Sequence, residues 1–236
     1  MPLTGHLEEL RSRLIKSCVA LSVAIVVTFS FAREIIAWLT RPLEKTHAPN
    51  LTLIGTAVTE AFFTKLEVAF IAAIFLSLPV SLWQAWRFVA PGLYANEKRH
   101  ARGFALYGTL FFFLGAGLCY ALILTPSYGF LLERYEALQV RPALKIGEYL
   151  SFTARLLLAS GICFEMPVAA YYATRAGLVD HRRLWRSFPY ALLAILFLAA
   201  LLTPPDLVSQ ALLSLPFLAL YGASIFVAYL ARRPSR

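Results

Sequence analysis

The chain has 236 residues, of which 59% are hydrophobic and 15% charged, with a formal net charge of +9 and a mean hydropathy of +0.67. Soluble domains hold roughly 45–50% apolar residues, so this composition excludes a water-soluble globule and marks a polytopic membrane protein. The basic residues sit in short loops between apolar runs, which excludes a continuous nucleic-acid surface and fits the positive-inside bias.

In chain order, Leu3, Leu7, Leu10 and Leu14 form one helical stripe, with Glu8, Glu9, Arg11 and Arg13 on the other faces. This predicts an interfacial helix over residues 1–13 that leads into a first span near 15–31. A cleavable leader ending at Ser30-Phe31-Ala32 fits less well. Its apolar stretch is long, its basic region carries an acidic pair, and its removal would leave an odd number of spans. Arg33 to Lys65 reads as an external loop in which Pro42 and Pro49 break any helix. A second span, near 68–86, holds Pro79 and should kink there.

The stretch Phe88-Val-Ala-Pro-Gly-Leu-Tyr-Ala-Asn-Glu-Lys-Arg99 then joins the second span to a third, near 104–125. A plain connector needs only polar residues and a turn. This one combines a Pro-Gly break, two aromatics, Glu97 and a basic cluster, a mixture that suits recognition at a membrane surface. Pro126 to Gly147 reads as a second external loop, and a fourth span near 150–172 contains Arg155 and Glu165. Arg182, Arg183 and Arg186 follow in a short loop. The fifth span, 188–202, is about 15 residues, or roughly 22 Å of helix, shorter than the ~30 Å hydrocarbon core. Thr203-Pro204-Pro205-Asp206 forces a corner, and a sixth span runs over 208–230 with Pro216 inside it. A short fifth and sixth helix should thin the bilayer locally or rely on a partner.

The expected fold is therefore an all-α integral membrane protein, a single domain over 1–236 with six transmembrane helices. With six spans, about fourteen of the 22 Lys and Arg fall on the side of the termini, which makes both termini cytoplasmic. Cys18, Cys119 and Cys163 each lie inside an apolar run and read as small hydrophobes, with neither a disulfide framework nor a metal site.

No HExxH, GxSxG or phosphate-binding loop is present, and His6, His47, His100 and His181 are scattered over different loops. The expectation is a protein that is not an enzyme and needs no cofactor. Three carboxylates carry the remaining chemistry. Glu165 lies inside a span, where an ionisable group is costly unless it has a partner or a task. Arg155 is ten residues away, about 15 Å along a helix, so the two do not pair directly. Glu9 is either an i,i+4 partner of Arg13 or a ligand for a cation. Glu97 is either a solvated charge beside Lys98 or a second such ligand. Together Glu9 and Glu97 suit a guanidinium, which favours planar carboxylate recognition.

Six segments in order resemble the TatC family, the multispanning receptor subunit of the twin-arginine protein translocase. His6-Leu-Glu-Glu-Leu-Arg-Ser-Arg13 is similar to the family's HLxELRxR opening, and Arg41-Pro42-Leu43 to its external proline motif. Phe88 to Arg99 resembles its FxxPGLxxxERR loop, with Lys98 where Arg is commoner. Tyr149-Leu-Ser-Phe152, Phe164-Glu-Met-Pro167 and Leu202 to Gln210 resemble its later signatures. The resemblance implies a concave, glove-like bundle in the cytoplasmic (inner) membrane. It implies a receptor for folded cargo proteins bearing Arg-Arg signal peptides, driven by the proton gradient. On that reading Glu9 and Glu97 hold the twin arginines, while Arg11, Arg13, Phe88, Pro91, Leu93, Tyr94 and Arg99 shape the signal-binding surface. Single-span TatA- and TatB-type subunits would dock at Leu201, Thr203 and Gln210, and Glu165 would face the concavity. From the residues alone, Thr203 and Gln210 equally read as a capped corner. The implied partners are those subunits, the signal peptides, the lipid bilayer and further copies of the chain, with no nucleic acid. The rival reading is a small-solute secondary transporter using Glu165. Such folds show internal repeats, and none is evident here.

Overall fold

The structure, a computed structural model, describes residues 3–44, 52–89, 98–137, 142–203 and 206–231. Its helices are α1 (Leu3–Ser30), α2 (Ala32–Glu44), α3 (Glu60–Val89), α4 (Lys98–Leu118), α5 (Leu124–Ala137), α6 (Ile146–Arg175), α7 (His181–Arg186), α8 (Phe188–Leu202) and α9 (Leu207–Ala231). A π-helical turn, Cys119–Ile123, fuses α4 to α5. Among the described residues, five helical stretches are long and apolar enough to cross a membrane, and α8 is a shorter apolar helix. The chain is a multi-pass, all-α membrane protein.

Several boundaries differ from the sequence reading, each for a local reason. The segment expected to lie in the interface is continuous with the first span, because nothing between Leu3 and Ser30 interrupts the helix. Pro42 does not break the first external loop but sits inside α2; Pro49 lies outside the described residues. The third span does not stop at Thr125. The Leu124 amide reaches back five residues to the Cys119 carbonyl, and the helix runs on through Pro126 to Ala137. The sixth helix is not short, since α9 has 25 residues, and only α8, with 15, falls below bilayer thickness. The loop after α6 contains the single-turn helix α7.

The centre of the bundle is α6, half of whose apolar stretch is buried. It packs against α3, α4 and α9, while α1 lies chiefly on α3. Small residues on α4 and α6 let the two backbones approach closely. A Cβ on Gly161 would stand 2.7 Å from the Phe112 ring, and one on Gly115 would stand 2.5 Å from the Phe164 ring. Each helix therefore supplies an aromatic knob to a glycine gap on the other, the small-residue packing that helices use in lipid.

The end of the bundle away from the N-terminus of α1 is tied by tyrosines. Proline has no N–H, so Pro42 leaves the carbonyl four residues back, on Trp38, without its helical donor. Tyr120 Oη donates to that carbonyl at 2.9 Å, and its ring stacks on Trp38 with centroids 4.1 Å apart. Tyr149 Oη donates to the neighbouring Leu39 carbonyl at 2.8 Å. A parallel strand pair, β1 (Thr52–Ile54) and β2 (Ala143–Lys145), joins the α2–α3 and α5–α6 connections in the register Thr52 to Ala143. Gly147 N donates to Glu60 Oε1 at 3.1 Å beside it. Pro42 itself is fully buried.

If Tyr120 serves the carbonyl that Pro42 frees, Tyr120→Phe should cost about 0.5–1 kcal/mol, the scale of an intramolecular hydrogen bond that water reaches. The same change should cost markedly less in a Pro42→Ala background, where an N–H is restored. Thermal unfolding of the four proteins in detergent checks this; equal losses in both backgrounds would sink the account.

Candidate functional site

The N-terminal tip of α1 meets the last turns of α3 on the face that also carries α7. Arg13 links them: its Nη2 donates to Glu9 Oε1 at 2.9 Å, and its Nη1 donates to Gln84 Oε1 at 3.3 Å. The side chains of Arg13 and Glu9 are 15% and 23% exposed, so the pair is half-shielded but reachable. The first contact is the i,i+4 pairing that the spacing of Glu9 and Arg13 suggests. The second, to a residue 71 positions away, was not legible in the sequence. Arg11 is exposed on the same helix.

Phe88 is half-buried at the end of α3. Pro91, Leu93, Tyr94 and Glu97 lie outside the described residues, and Arg99 falls in the first turn of α4. The base of this connection is closed by aromatics that the sequence reading missed. Trp86 at the end of α3 stacks on Phe104 of α4, with centroids 4.6 Å apart and planes 17° from parallel. Tyr172 of α6 meets both rings edge-on, at 5.2 Å and 5.3 Å. Gly103 leaves room for this arrangement, since a Cβ there would stand 2.5 Å from Tyr172 Oη. The only advance signal was that the two apolar runs end in aromatics beside the connection.

The intramembrane charges separate as the helix arithmetic required. Arg155 pairs with Glu67 of α3, not with Glu165, donating from Nη2 and Nε to Glu67 Oε1 at 2.7 and 3.1 Å. Ser151 Oγ also donates to that carboxylate, at 2.5 Å. Both oxygens of Glu165 are shielded from solvent and have no hydrogen-bond partner among the described residues. The carboxylate lies against Gly108, where a Cβ would stand 2.8 Å from Glu165 Oε2 and 3.0 Å from Leu82.

At the α8–α9 corner, Leu201 is 73% exposed, whereas Thr203 is buried. Thr203 Oγ1 donates to the Ala199 carbonyl at 2.8 Å, and Gln210 Nε2 donates to the Leu196 carbonyl at 3.2 Å. Asp206 Oδ1 accepts from Ser209 N at 2.7 Å and so caps α9. Both polar side chains thus take part in the corner itself. Among the described residues, no group of His, Cys, Asp or Glu has metal-binding geometry.

Comparisons with known proteins agree along the whole chain. The model of a family described as "Sec-independent protein translocase protein (TatC)" matches residues 5–216. The protein of that name from Campylobacter jejuni is 39% identical over 228 residues, covering 95% of this chain and 92% of that one. Its counterpart from Aquifex aeolicus is 36% identical over 237 residues, covering 100% of this chain and 98% of its own. A crystal structure of the twin arginine translocase receptor TatC superimposes with a TM-score of 0.89 at 35% identity, covering 97% of this chain and 100% of that one. A second, of the receptor in DDM, gives 0.88 at 34% identity, covering 94% and 99%.

Because Arg13 holds both Glu9 and Gln84, Arg13→Ala should lower stability by about 1 kcal/mol. Glu9→Ala should cost only about 0.3–0.5 kcal/mol, as an i,i+4 pair does. Denaturation of the purified variants distinguishes the two; equal losses would mean that the Gln84 contact contributes nothing.

Proposed function

The chain belongs to the TatC family of Sec-independent protein translocase proteins, and we propose that it is a receptor for Arg-Arg signal peptides at the cytoplasmic face of the inner membrane. The observation that carries this reading is the likeness, over almost the whole chain, to a solved twin arginine translocase receptor. The geometry of α1 supports it. Glu9 is half-shielded in the N-terminal part of α1, and among the described residues Arg13 donates to its Oε1. A carboxylate accepts about four hydrogen bonds, so a second guanidinium can join without displacing Arg13. Partial desolvation strengthens such charge-assisted bonds over those of an open surface pair.

In this proposal Glu97 holds the second arginine, and Arg11, Arg13 and Arg99 set the local charge. Phe88, Pro91, Leu93 and Tyr94 pack the apolar part of the signal. Leu201, exposed at the end of α8, leads the docking of single-span TatA- and TatB-type subunits, with Thr203 and Gln210 beside it. Pro42 holds the external end of α2. Glu165 is the polar group that such a subunit meets at membrane depth. Both termini are cytoplasmic, the receptor assembles with further copies of itself, and transport draws on the proton gradient without nucleotide, nucleic acid or cofactor. The role is binding and assembly, not enzymatic conversion.

Binding of an Arg-Arg signal peptide to the purified chain tests the proposal. Glu9→Ala and Glu97→Ala should each weaken it by about tenfold or more, the scale of a lost hydrogen bond to a charged group. A Lys-Lys peptide should bind comparably poorly to the unaltered protein. Equal binding of the Arg-Arg and Lys-Lys peptides would overturn the receptor reading. Undiminished binding by both variants would remove the two carboxylates from the site.

A further inference from the structure

We propose that α7 and the facing side of α9 form a binding site for the phosphate headgroup of an anionic phospholipid, in the leaflet on the N-terminal side of the bundle. The site is an open hollow of about 310 Å³ lined by His181, Arg182, Trp185, Arg186 and Ile225. Arg182 and Arg186 are four residues apart on one helical turn, so both side chains line the same hollow. Among the described residues, no carboxylate pairs with Arg182, Arg183 or Arg186. Arg13 and Arg155, by contrast, each have their own glutamate. In this connection His181 Nδ1 lies 2.7 Å from Asp180 Oδ1, within hydrogen-bond distance.

Uncompensated like charges this close repel one another, so the arrangement favours an anion placed between them. A phosphodiester suits two guanidinium groups, each able to donate two parallel hydrogen bonds. The presenting helix is fixed from behind. Tyr221 Oη of α9 donates to the Leu184 carbonyl at 2.9 Å, and the His181 ring meets the Tyr229 ring at 5.4 Å.

Three features favour a lipid over a free phosphate ion. Trp185 is 70% and Tyr190 76% exposed, as aromatic side chains are at the headgroup level of a bilayer. Ile225 gives the hollow an apolar wall suited to the start of an acyl chain. The helix that follows, α8, has 15 residues, about 22 Å, and a span that short draws the headgroup plane inward at its ends. Phosphates are thereby brought to the depth of α7. Each basic residue close to an anionic surface adds attraction, and two on one headgroup add selectivity.

The test is native mass spectrometry of the full chain released from neutral detergent with added phosphatidylglycerol or phosphatidylcholine. The unaltered protein should retain phosphatidylglycerol in preference, and Arg182→Gln with Arg186→Gln should lower that retention by on the order of tenfold. Arg233→Gln with Arg236→Gln, which removes the same charge from the C-terminal tail, should leave it unchanged. A melting curve of each variant guards against misfolding. Equal retention of the two lipids, or equal loss in the tail variant, would overturn the site. So would displacement of the lipid by millimolar inorganic phosphate, which would make it a free-phosphate site. Undiminished retention of phosphatidylglycerol by the Arg182→Gln and Arg186→Gln variant would likewise remove the two arginines from the site.

Discussion

The structure depends first on the close approach of α4 to α6. In a bilayer, helices gain no hydrophobic free energy by associating with each other, so shape must supply the attraction. Phe112 fills the space at Gly161, and Phe164 fills the space at Gly115. Because the exchange is reciprocal, it fixes both the rotation and the axial register of the two helices. Gly108 against Glu165 and Gly103 against Tyr172 follow from the same register. Since α6 also carries α3 and α9, an error here would spread through the bundle.

The second constraint is polar. A backbone carbonyl or a charge at membrane depth needs a partner within the protein. Pro42 leaves the Trp38 carbonyl without its helical donor, and the Tyr120 hydroxyl meets it; Arg155, on the long apolar helix α6, is met by Glu67. Thr28 Oγ1 donates to the Ala69 carbonyl at 2.7 Å and ties α1 to α3 in the same way. Among the described residues Glu165 departs from this pattern, shielded and without a hydrogen bond, and on the same helix the hydroxyls of Ser160 and Thr174 share that condition.

Much of this was legible in advance, and the exceptions share a cause. Spans, their number and the short length of α8 follow from local apolar runs, which sequence displays directly. The Glu9–Arg13 pair and the separation of Arg155 from Glu165 follow from helix geometry alone. Gln84, Glu67 and Tyr120 were out of reach because each acts on a residue more than 70 positions away. Proline was misjudged for the same reason. Its missing N–H is a local fact, but the hydroxyl that meets the freed carbonyl comes from a residue 82 positions away. The strand pair, three residues a side, is too brief to leave a periodic signal. Glu97, Pro91, Leu93 and Tyr94 were singled out from mixed chemistry in a short connection and fall outside the described residues.

The attachment of α1 also has a mechanical consequence. The helix is a beam of 28 residues, about 42 Å long, with most of its apolar side chains exposed. Its polar fastenings to α3 lie at Thr28–Ala69, close to the C-terminal end, and at Arg13–Gln84, about 15 Å in from the N-terminal end. Between these pins, among the described residues, van der Waals contact holds α1 to α3, and its own backbone hydrogen bonds supply its stiffness. A sideways load at Glu9 therefore passes into α3 within about one helical turn, whereas a load on the middle of α1 flexes the beam before it reaches either fastening.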